Sequence, residues 1–240
     1  MTGRLTIPDN VRAIVFDVME TLIPVSKKGM AGAVAKHSDI PLFAKMIGVI
    51  QTISVDDATG LKKILLRLYA ACRLLAYLLV YCTSAPVVWR LYKTGKRYRE
   101  FMRGSITADE FFLEVQRRLA LRLNQQQFFE LLLKNLPPPD PVLLGLLAEA
   151  KSSGIKVAVL TNVDPVMLKH FHDSYAWWRE LDAVVASCNH GVLKPTLSLF
   201  ASAEEKLGES GACVWFIDNS PENTDAASKH FRWRTLLWDK

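Results

Sequence analysis

The sequence is poor in the residues that cross-link small folds or keep a chain disordered. It has 4 cysteines in 240 residues, and no two of them stand at the spacing of a zinc-binding pair. Its 12 glycines and 11 prolines are too few for a collagenous or low-complexity chain, and 50% of its residues are hydrophobic. These shortages exclude a disulfide framework, a zinc module and a disordered chain. They predict a folded protein with a substantial core in a reducing compartment.

The beginning of the sequence lacks the pattern of a secretory leader. Residues 1–10 contain no apolar stretch long enough for a signal peptide, and a strand-like run begins directly after them. We therefore expect a protein that is not secreted, and we predict a cytoplasmic location.

Acidic residues are scarce in one stretch, residues 61–103. This stretch holds ten basic residues against the single acid Glu100, a local charge of +9 in a chain whose net charge is +6. The excess predicts a solvated basic face or a surface that steers an anionic substrate. Aromatic residues are interleaved with the charges, but no nucleic-acid motif accompanies them, so we expect no nucleic-acid partner.

Within that stretch, residues 64–82 are apolar except for Arg67 and Arg73. Nineteen residues would span a bilayer, but each buried arginine costs roughly 2.5 to 3.5 kcal/mol on insertion scales. We interpret the segment as a buried helix, with a helix that contacts a membrane surface or a protein partner as the alternative.

A first strand precedes a long helical region in the sequence. Residues 11–18 form a short apolar run, rich in β-branched residues, that presents Asp17 at its carboxyl end. Residues 23–141 show almost no strand pattern, and Thr107 followed by Glu110 has the spacing of a helix capping box. Helices are predicted there over 61–81, 85–101, 107–123 and 125–136.

After the proline-rich run at 137–141, helices and strands alternate. Such alternation predicts a Rossmann-like, doubly wound parallel sheet of five strands, an α/β fold, with the helical region inserted after the first strand. The expected strands after the first are 155–160, 183–187, 213–217 and 235–238, and the expected helices are 142–153, 165–181, 195–207 and 222–231.

Polar residues follow several of these strands. Asp17, Thr161 with Asn162, and Asp218 end three of them, and Lys194 follows a fourth. Ligands of open α/β sheets bind beyond the carboxyl ends of the strands, so we expect these side chains to meet at one edge.

Four segments that contain these residues resemble the motifs of the haloacid dehalogenase superfamily of aspartate-nucleophile hydrolases. They are FDVMETL at 16–22, VLTN at 159–162, GVLKP at 191–195 and FIDNSPEN at 216–223. The resemblance implies a catalytic core formed by 1–22 and 142–240, with a helical cap, 23–141, that closes over the site.

The resemblance also implies an activity, a metal and roles for single residues. The protein would be a phosphatase of small phosphate monoesters, with Asp17 as the nucleophile and with Thr161, Asn162 and Lys194 binding the phosphoryl group. Asp17, the main-chain carbonyl of Met19 and Asp218 would hold Mg²⁺.

The motifs depart from the family pattern at Met19, where its phosphatases usually carry an acid that protonates the leaving group. Three interpretations follow: a phosphatase that uses good leaving groups or takes an acid from the cap, a hydrolase like the 2-haloacid dehalogenases, or a binding protein without catalysis. The dehalogenase branch usually lacks an acid at the position of Asp218, so this residue favours a metal-dependent reaction at phosphorus. Glu20, next to Met19, is a candidate replacement, although neighbouring side chains at a strand end point to opposite sides.

Overall fold

The architecture is a five-stranded parallel sheet flanked by helices. A computed structural model describes residues 5–25, 33–34, 37, 95–119 and 121–238. Its strands are β1 (Ala13–Phe16), β2 (Lys156–Thr161), β3 (Ala183–Ala186), β4 (Val214–Asp218) and β5 (Arg234–Leu237). They lie in the order β3-β2-β1-β4-β5, and every neighbouring pair is parallel. The predicted Rossmann-like parallel sheet is confirmed.

The helices of the described residues are numbered in chain order. They are α1 (Lys96–Met102), α2 (Ala108–Leu119), α3 (Gln125–Lys134), α4 (Pro141–Ser152), α5 (Pro165–Ser174), α6 (Ser187–His190), α7 (Leu197–Leu207) and α8 (Pro221–Phe231), with 3-10 turns at Ala176–Glu180 and Gly211–Cys213. None of the helices within this described part is long and apolar enough to cross a membrane.

The central strands are apolar on both faces because helices cover both. Ile14, Val15 and Phe16 of β1 point alternately to the two faces, and all three are fully buried. Val15 packs in one core cluster with Phe200 of α7 and Ala227 of α8. Full burial of each large side chain contributes roughly 1.5 to 3 kcal/mol. This continuous apolar pattern fixes β1 in the middle of the sheet.

Two aspartates start the helices on either side of β2. Asp140 accepts hydrogen bonds from the backbone amides of the first turn of α4, and Asp164 does the same for α5. A proline follows each aspartate, where its missing N–H costs nothing. Burial raises the pKa of Asp164 to about 6, although its backbone hydrogen bonds act in the opposite direction.

The elements after β2 differ from the predicted ones at several points. The helix expected over 165–181 ends at Ser174, because Tyr175 is extended and the following 3-10 turn packs Trp178 against Phe171, with ring centroids 5.5 Å apart. The helix expected from 195 begins at Leu197. The short helix α6 directly after β3 has no counterpart in the predicted elements.

Two of the predicted features of the inserted region lie within the described residues. The capping box is confirmed, since the Glu110 carboxylate accepts from the Thr107 amide at 2.8 Å and Thr107 Oγ1 accepts from the Glu110 amide at 3.2 Å. The helix predicted over 107–123 ends at Leu119. The one predicted over 61–81 lies outside the described residues, as does the apolar segment 64–82.

The chain divides into two compact units. One comprises Met1–Ser26, Lys96–Phe111 and Leu133–Lys240, and the other comprises Lys27–Gly95 and Phe112–Leu132. In the second unit the rings of Phe112 and Phe128 lie 5.6 Å apart, and the Arg122 amide donates to the His37 carbonyl at 3.2 Å. The predicted core and cap boundaries, after 22 and after 141, remain predictions.

Candidate active site

Two aspartates stand side by side at the carboxyl end of the sheet. Phe16 pairs with Ile217, so Asp17 and Asp218 leave neighbouring strands at the same level. The Asp17 amide donates to the Ile217 carbonyl at 2.8 Å, which holds the two strand ends together. Asp17 is 4% exposed and Asp218 is 0% exposed. Two buried carboxylates on neighbouring strand ends need a cation between them.

Lys194 supplies that positive charge. Its Nζ lies 2.7 Å from Asp17 Oδ1 and 2.6 Å from Asp218 Oδ2, and its side chain is 2% exposed. Burial lowers the pKa of Lys194, but the two carboxylates outweigh that effect, so the pKa lies above its ordinary value. Burial raises the pKa of Asp17 to about 6; Asp218 adds to the rise and Lys194 opposes it.

Asp218 is oriented by the start of α8. Its Oδ1 accepts from the Ser220 amide at 2.7 Å, and the Asn223 side-chain amide donates to Oδ1 and Oδ2 at 3.1 and 3.0 Å. Asn223 is the last residue of the segment FIDNSPEN, and the sequence alone predicts no role for it. The signal that could have shown it is the Ser220-Pro221 helix start, which brings the first turn of α8 back over the end of β4.

Thr21 orients the other carboxylate. Its Oγ1 donates to Asp17 Oδ2 at 3.0 Å and accepts from the Asn219 amide at 3.2 Å. The chain returns to Asp17 through a turn in which Glu20 adopts φ +67°. The Asn219 side-chain amide donates to the Glu20 carboxylate at 3.3 Å. Met19, which is half-buried, pairs with Ile23 in an isolated β-bridge.

Thr161 and Asn162 stand at the carboxyl end of β2, the strand on the other side of β1. Thr161 is the last residue of β2, and its hydroxyl is buried without a hydrogen-bond partner in the part of the chain that the structure describes. Asn162 instead holds Lys194: its Oδ1 accepts from the Lys194 amide at 2.8 Å, and its Nδ2 donates to the Lys194 carbonyl at 3.4 Å. The structure thus brings Asp17, Asp218, Lys194 and Asn162 into one connected network.

This arrangement has the chemistry of a site for a cation and a dianion. Within the described ranges, no group of three or more His, Cys, Asp or Glu side chains could hold a metal ion. Mg²⁺ requires less, because it is usually bound through one or two carboxylates and keeps several waters. Asp17 and Asp218 provide two carboxylates, and an unpaired buried hydroxyl such as that of Thr161 is available to donate to an oxyanion.

Comparison with known proteins identifies the family. The model of the haloacid dehalogenase-like hydrolases matches residues 11–230, a range that contains every site residue described above. The chain belongs to the haloacid dehalogenase-like hydrolase family. The predicted family is therefore confirmed, and the protein is a haloacid dehalogenase-like hydrolase.

Individual proteins resemble the chain more distantly. A sesquiterpene phosphatase of Aspergillus oryzae is 25% identical over 133 residues, which cover 55% of this chain and 68% of that protein. A haloacid dehalogenase family enzyme of Bacteroides thetaiotaomicron, crystallised with magnesium and inorganic phosphate, superposes with a TM-score of 0.65 at 15% identity and covers 95% of this chain and 94% of its own.

An L-2-haloacid dehalogenase of Xanthobacter autotrophicus shares the fold as well. It superposes with a TM-score of 0.55 at 19% identity, and the match covers 94% of this chain and 76% of the dehalogenase. At these identities the two solved structures show a common fold.

Proposed function

We propose that this haloacid dehalogenase-like hydrolase is a Mg²⁺-dependent phosphatase of small phosphate monoesters, with Asp17 as its nucleophile. One observation carries the proposal: Lys194 Nζ lies within 2.7 Å of Asp17 and within 2.6 Å of Asp218, with all three side chains buried. A phosphate monoester carries up to two negative charges, so its hydrolysis needs a concentrated positive field around the nucleophile.

Asp17 attacks phosphorus with one carboxylate oxygen. A bond forms between that oxygen and phosphorus, and the ester P–O bond breaks, with its electron pair leaving on the alcohol oxygen, which takes a proton from solvent. Water then attacks the phosphorus of the aspartyl phosphate, loses a proton, and displaces the Asp17 carboxylate. The route replaces one difficult displacement by two easier ones. Thr21 fixes the rotamer of Asp17 through the 3.0 Å hydrogen bond to Oδ2, which leaves Oδ1 on the Lys194 side.

Thr161 and Lys194 bind the phosphoryl oxygens. The Thr161 hydroxyl is buried and has no partner among the described residues, so a donor is ready without loss of an existing bond. Lys194 is a buried ammonium whose backbone is clamped by Asn162, so its charge is preorganised. Asn162 acts through Lys194, because its amide is engaged by the Lys194 backbone.

The residues fit a bound Mg²⁺ ion. Asp17 and Asp218 would hold it, with the main-chain carbonyl of Met19 and water as further oxygen ligands, the hard donors that this cation prefers. Each carboxylate oxygen has two lone-pair directions, and Asp17 uses one on Oδ1 for Lys194 and one on Oδ2 for Thr21, so both oxygens keep acceptor capacity. On Asp218 the cation would take the place of one of the hydrogen bonds to Oδ2, from Lys194 or from Asn223. When bound, Mg²⁺ supplies positive charge that the phosphoryl oxygens need. The crystals of the Bacteroides enzyme with magnesium and phosphate support this assignment.

A phosphorylated small molecule is the substrate that the relatives support. The Aspergillus relative is a sesquiterpene phosphatase. This supports a phosphatase over the 2-haloacid dehalogenase alternative, which is also disfavoured by the buried acid Asp218. Contact of the basic segment 61–103 with a membrane or a protein gains no support from the relatives.

Phosphate release tests the proposal. Purified protein is assayed on a panel of phosphomonoesters with and without Mg²⁺, beside Asp17→Asn and the matched surface change Asp225→Asn, an exposed residue of α8. We expect Mg²⁺-dependent release that Asp225→Asn retains and Asp17→Asn loses by at least about a thousandfold. Release of halide from 2-haloacids without phosphate release would establish the alternative.

A further inference from the structure

Ser187 is a fully buried hydroxyl to which the proposed chemistry gives no part. It is the first residue of α6, directly after β3, and it is 0% exposed. Its Oγ donates to the Met102 carbonyl at 2.7 Å, with the Val163 carbonyl as a longer acceptor at 3.2 Å, and accepts from the Val163 amide at 2.9 Å. A single hydroxyl thus uses its one proton and a lone pair on two backbone groups that are distant in sequence.

The two partners belong to different parts of the chain. Met102 is the last residue of α1, where helix carbonyls lack a partner within the helix. Val163 stands two residues after Thr161 and one after Asn162. Ser187 therefore joins the end of α1, in the inserted region, to the loop that carries the proposed phosphate-binding residues.

A second contact between the inserted region and α6 lies next to Ser187. Gly104 follows α1 with φ +69°, and a Cβ atom there would lie 2.3 Å from the Cys188 carbonyl oxygen. Phe101 and Phe111 stack with ring centroids 4.5 Å apart, which closes a hairpin of α1 and the start of α2. At Gly104 the hairpin therefore lies directly against the backbone of α6. The first unit includes the chain up to Phe111, and the second unit begins at Phe112.

The hydrogen bonds continue from Val163 to the charged centre. Asn162, its neighbour, holds the Lys194 amide at 2.8 Å, and Lys194 Nζ contacts Asp17 and Asp218. Every step in this series is a direct hydrogen bond or an adjacent residue. A displacement of the loop at Val163 would therefore move Asn162, and with it the backbone of Lys194.

We propose that Ser187 is a positioning residue: it tethers the loop 161–163 to the α1–α2 hairpin and so fixes Thr161 and Lys194 for phosphate binding. The inference rests on the proposed function. Because small misplacements of a binding group reduce catalysis steeply, loss of the tether affects turnover more than global stability explains.

The main test compares Ser187→Ala with Val157→Ala. Val157 is also fully buried, but it lies near the start of β2, four residues before Thr161. Both variants are characterised for unfolding in urea, for binding of inorganic phosphate with saturating Mg²⁺, and for kcat and KM on the best ester. We expect Ser187→Ala to weaken phosphate binding and kcat/KM by about tenfold or more beyond Val157→Ala at equal stability. Equal losses in the two variants would overturn the proposal.

Amide hydrogen exchange tests the tether without reference to activity. In Ser187→Ala we expect faster exchange at Val163 and also at Lys194, whose amide is bonded to Asn162. Unchanged protection at Lys194 would overturn the inference. If the wild-type protein neither binds nor releases phosphate, the proposed function fails, and the Lys194 amide still decides whether the tether exists.

A second pair of variants covers the case in which Ser187→Ala does not fold. Gly104→Ala forces the hairpin away from the Cys188 carbonyl, whereas Gly154→Ala places the same methyl group at φ +72° with nothing within 4 Å. We expect faster exchange at Lys194 and weaker binding of inorganic phosphate in Gly104→Ala only. The same behaviour in both variants would contradict a specific tether.

Discussion

Lys194 Nζ lies 2.6 Å from Asp218 Oδ2, and neither side chain is more than 2% exposed. The ammonium also contacts Asp17, so one buried cation is shared by two buried anions. Such a group is held by mutual compensation: each charge is costly to bury alone, and removal of one leaves the others uncompensated. This relationship decides how the site responds to substitution.

Lys194→Met should destabilise the protein and make it more dependent on a divalent cation. The substitution keeps most of the length of the side chain but removes its charge and leaves Asp17 and Asp218 facing each other, at a cost of about 3 to 5 kcal/mol near neutral pH. We expect Mg²⁺ to recover more of the free energy of unfolding in this variant than in the wild type. Urea unfolding with and without Mg²⁺ measures the loss of stability and the stabilisation by Mg²⁺. Lys169→Met, at an exposed lysine of α5, is the control. An equal Mg²⁺ effect in all three proteins would argue against a shared cation site.

Asn223→Ala should weaken the site through Asp218. The substitution removes a side-chain amide that donates to both carboxylate oxygens, and hydrogen bonds to charged groups are worth about 1.5 to 3 kcal/mol. We expect lower stability and phosphate release reduced by about tenfold. Steady-state kinetics and urea unfolding check this against Glu222→Ala, the exposed neighbour in the same helix turn. Wild-type kinetics in Asn223→Ala would show that Asp218 needs no such support.

Asp164 should make stability pH-dependent in a direction opposite to that of a salt-bridged carboxylate. Its folded-state pKa is about 6, raised by burial from an ordinary value of 3.8, so the folded protein binds the proton more tightly than the unfolded chain does. The contribution of Asp164 to the free energy of unfolding is therefore full below about pH 4 and falls as the pH rises through about 6, by about 3 kcal/mol.

The variant Asp164→Asn isolates this effect. Asparagine keeps a side-chain oxygen for the amides of Val166 and Met167 but does not ionise. We expect the variant to gain stability relative to the wild type between pH 4 and pH 7 in denaturant titrations. Asp164→Ala serves as the comparison, because it loses the helix cap at every pH, at a cost of about 1 kcal/mol. A constant difference between wild type and Asp164→Asn would disprove the raised pKa.

Gly104→Ala should cost more stability than Gly154→Ala. Both glycines have positive φ and both are exposed, so each alanine carries the same backbone penalty of about 1 to 2 kcal/mol. Only at Gly104 does the new methyl group meet a backbone oxygen, 2.3 Å away. We expect a further loss of at least about 1 kcal/mol there. Thermal or urea unfolding of the two variants gives the comparison, and equal losses would mean that the turn at Gly104 moves freely.

The sequence pattern predicted the sheet and the convergence of its polar ends because both follow from local rules. Continuous apolar runs such as that of β1 predict buried parallel strands, and residues directly after such strands lie at one edge. Asp17, Lys194 and Asp218 meet there as expected. The resemblance to the dehalogenase superfamily added the family, which the comparisons confirm.

Contacts between segments that are distant in the chain could not be predicted from the sequence pattern. The bond from Ser187 to Met102 joins residues 85 positions apart, and no spacing or periodicity announces it. The break of a helix at Tyr175 depends on the packing of Trp178 against Phe171, which is a tertiary effect. Asn162 is predicted to bind substrate, and only the three-dimensional structure shows that its side-chain oxygen also accepts from the Lys194 amide.

Trapping of a phosphorylated Asp17 would test the mechanism most directly. The protein is mixed with Mg²⁺ and acetyl phosphate, an activated phosphoryl donor, quenched in acid, reduced with borohydride and digested for mass spectrometry. An aspartyl phosphate at Asp17 is converted to homoserine, so we expect homoserine at position 17 only when donor and Mg²⁺ are both present, and none in Asp17→Asn. Turnover of the donor with Asp17 unmodified, or with homoserine at another aspartate, would contradict Asp17 as the nucleophile.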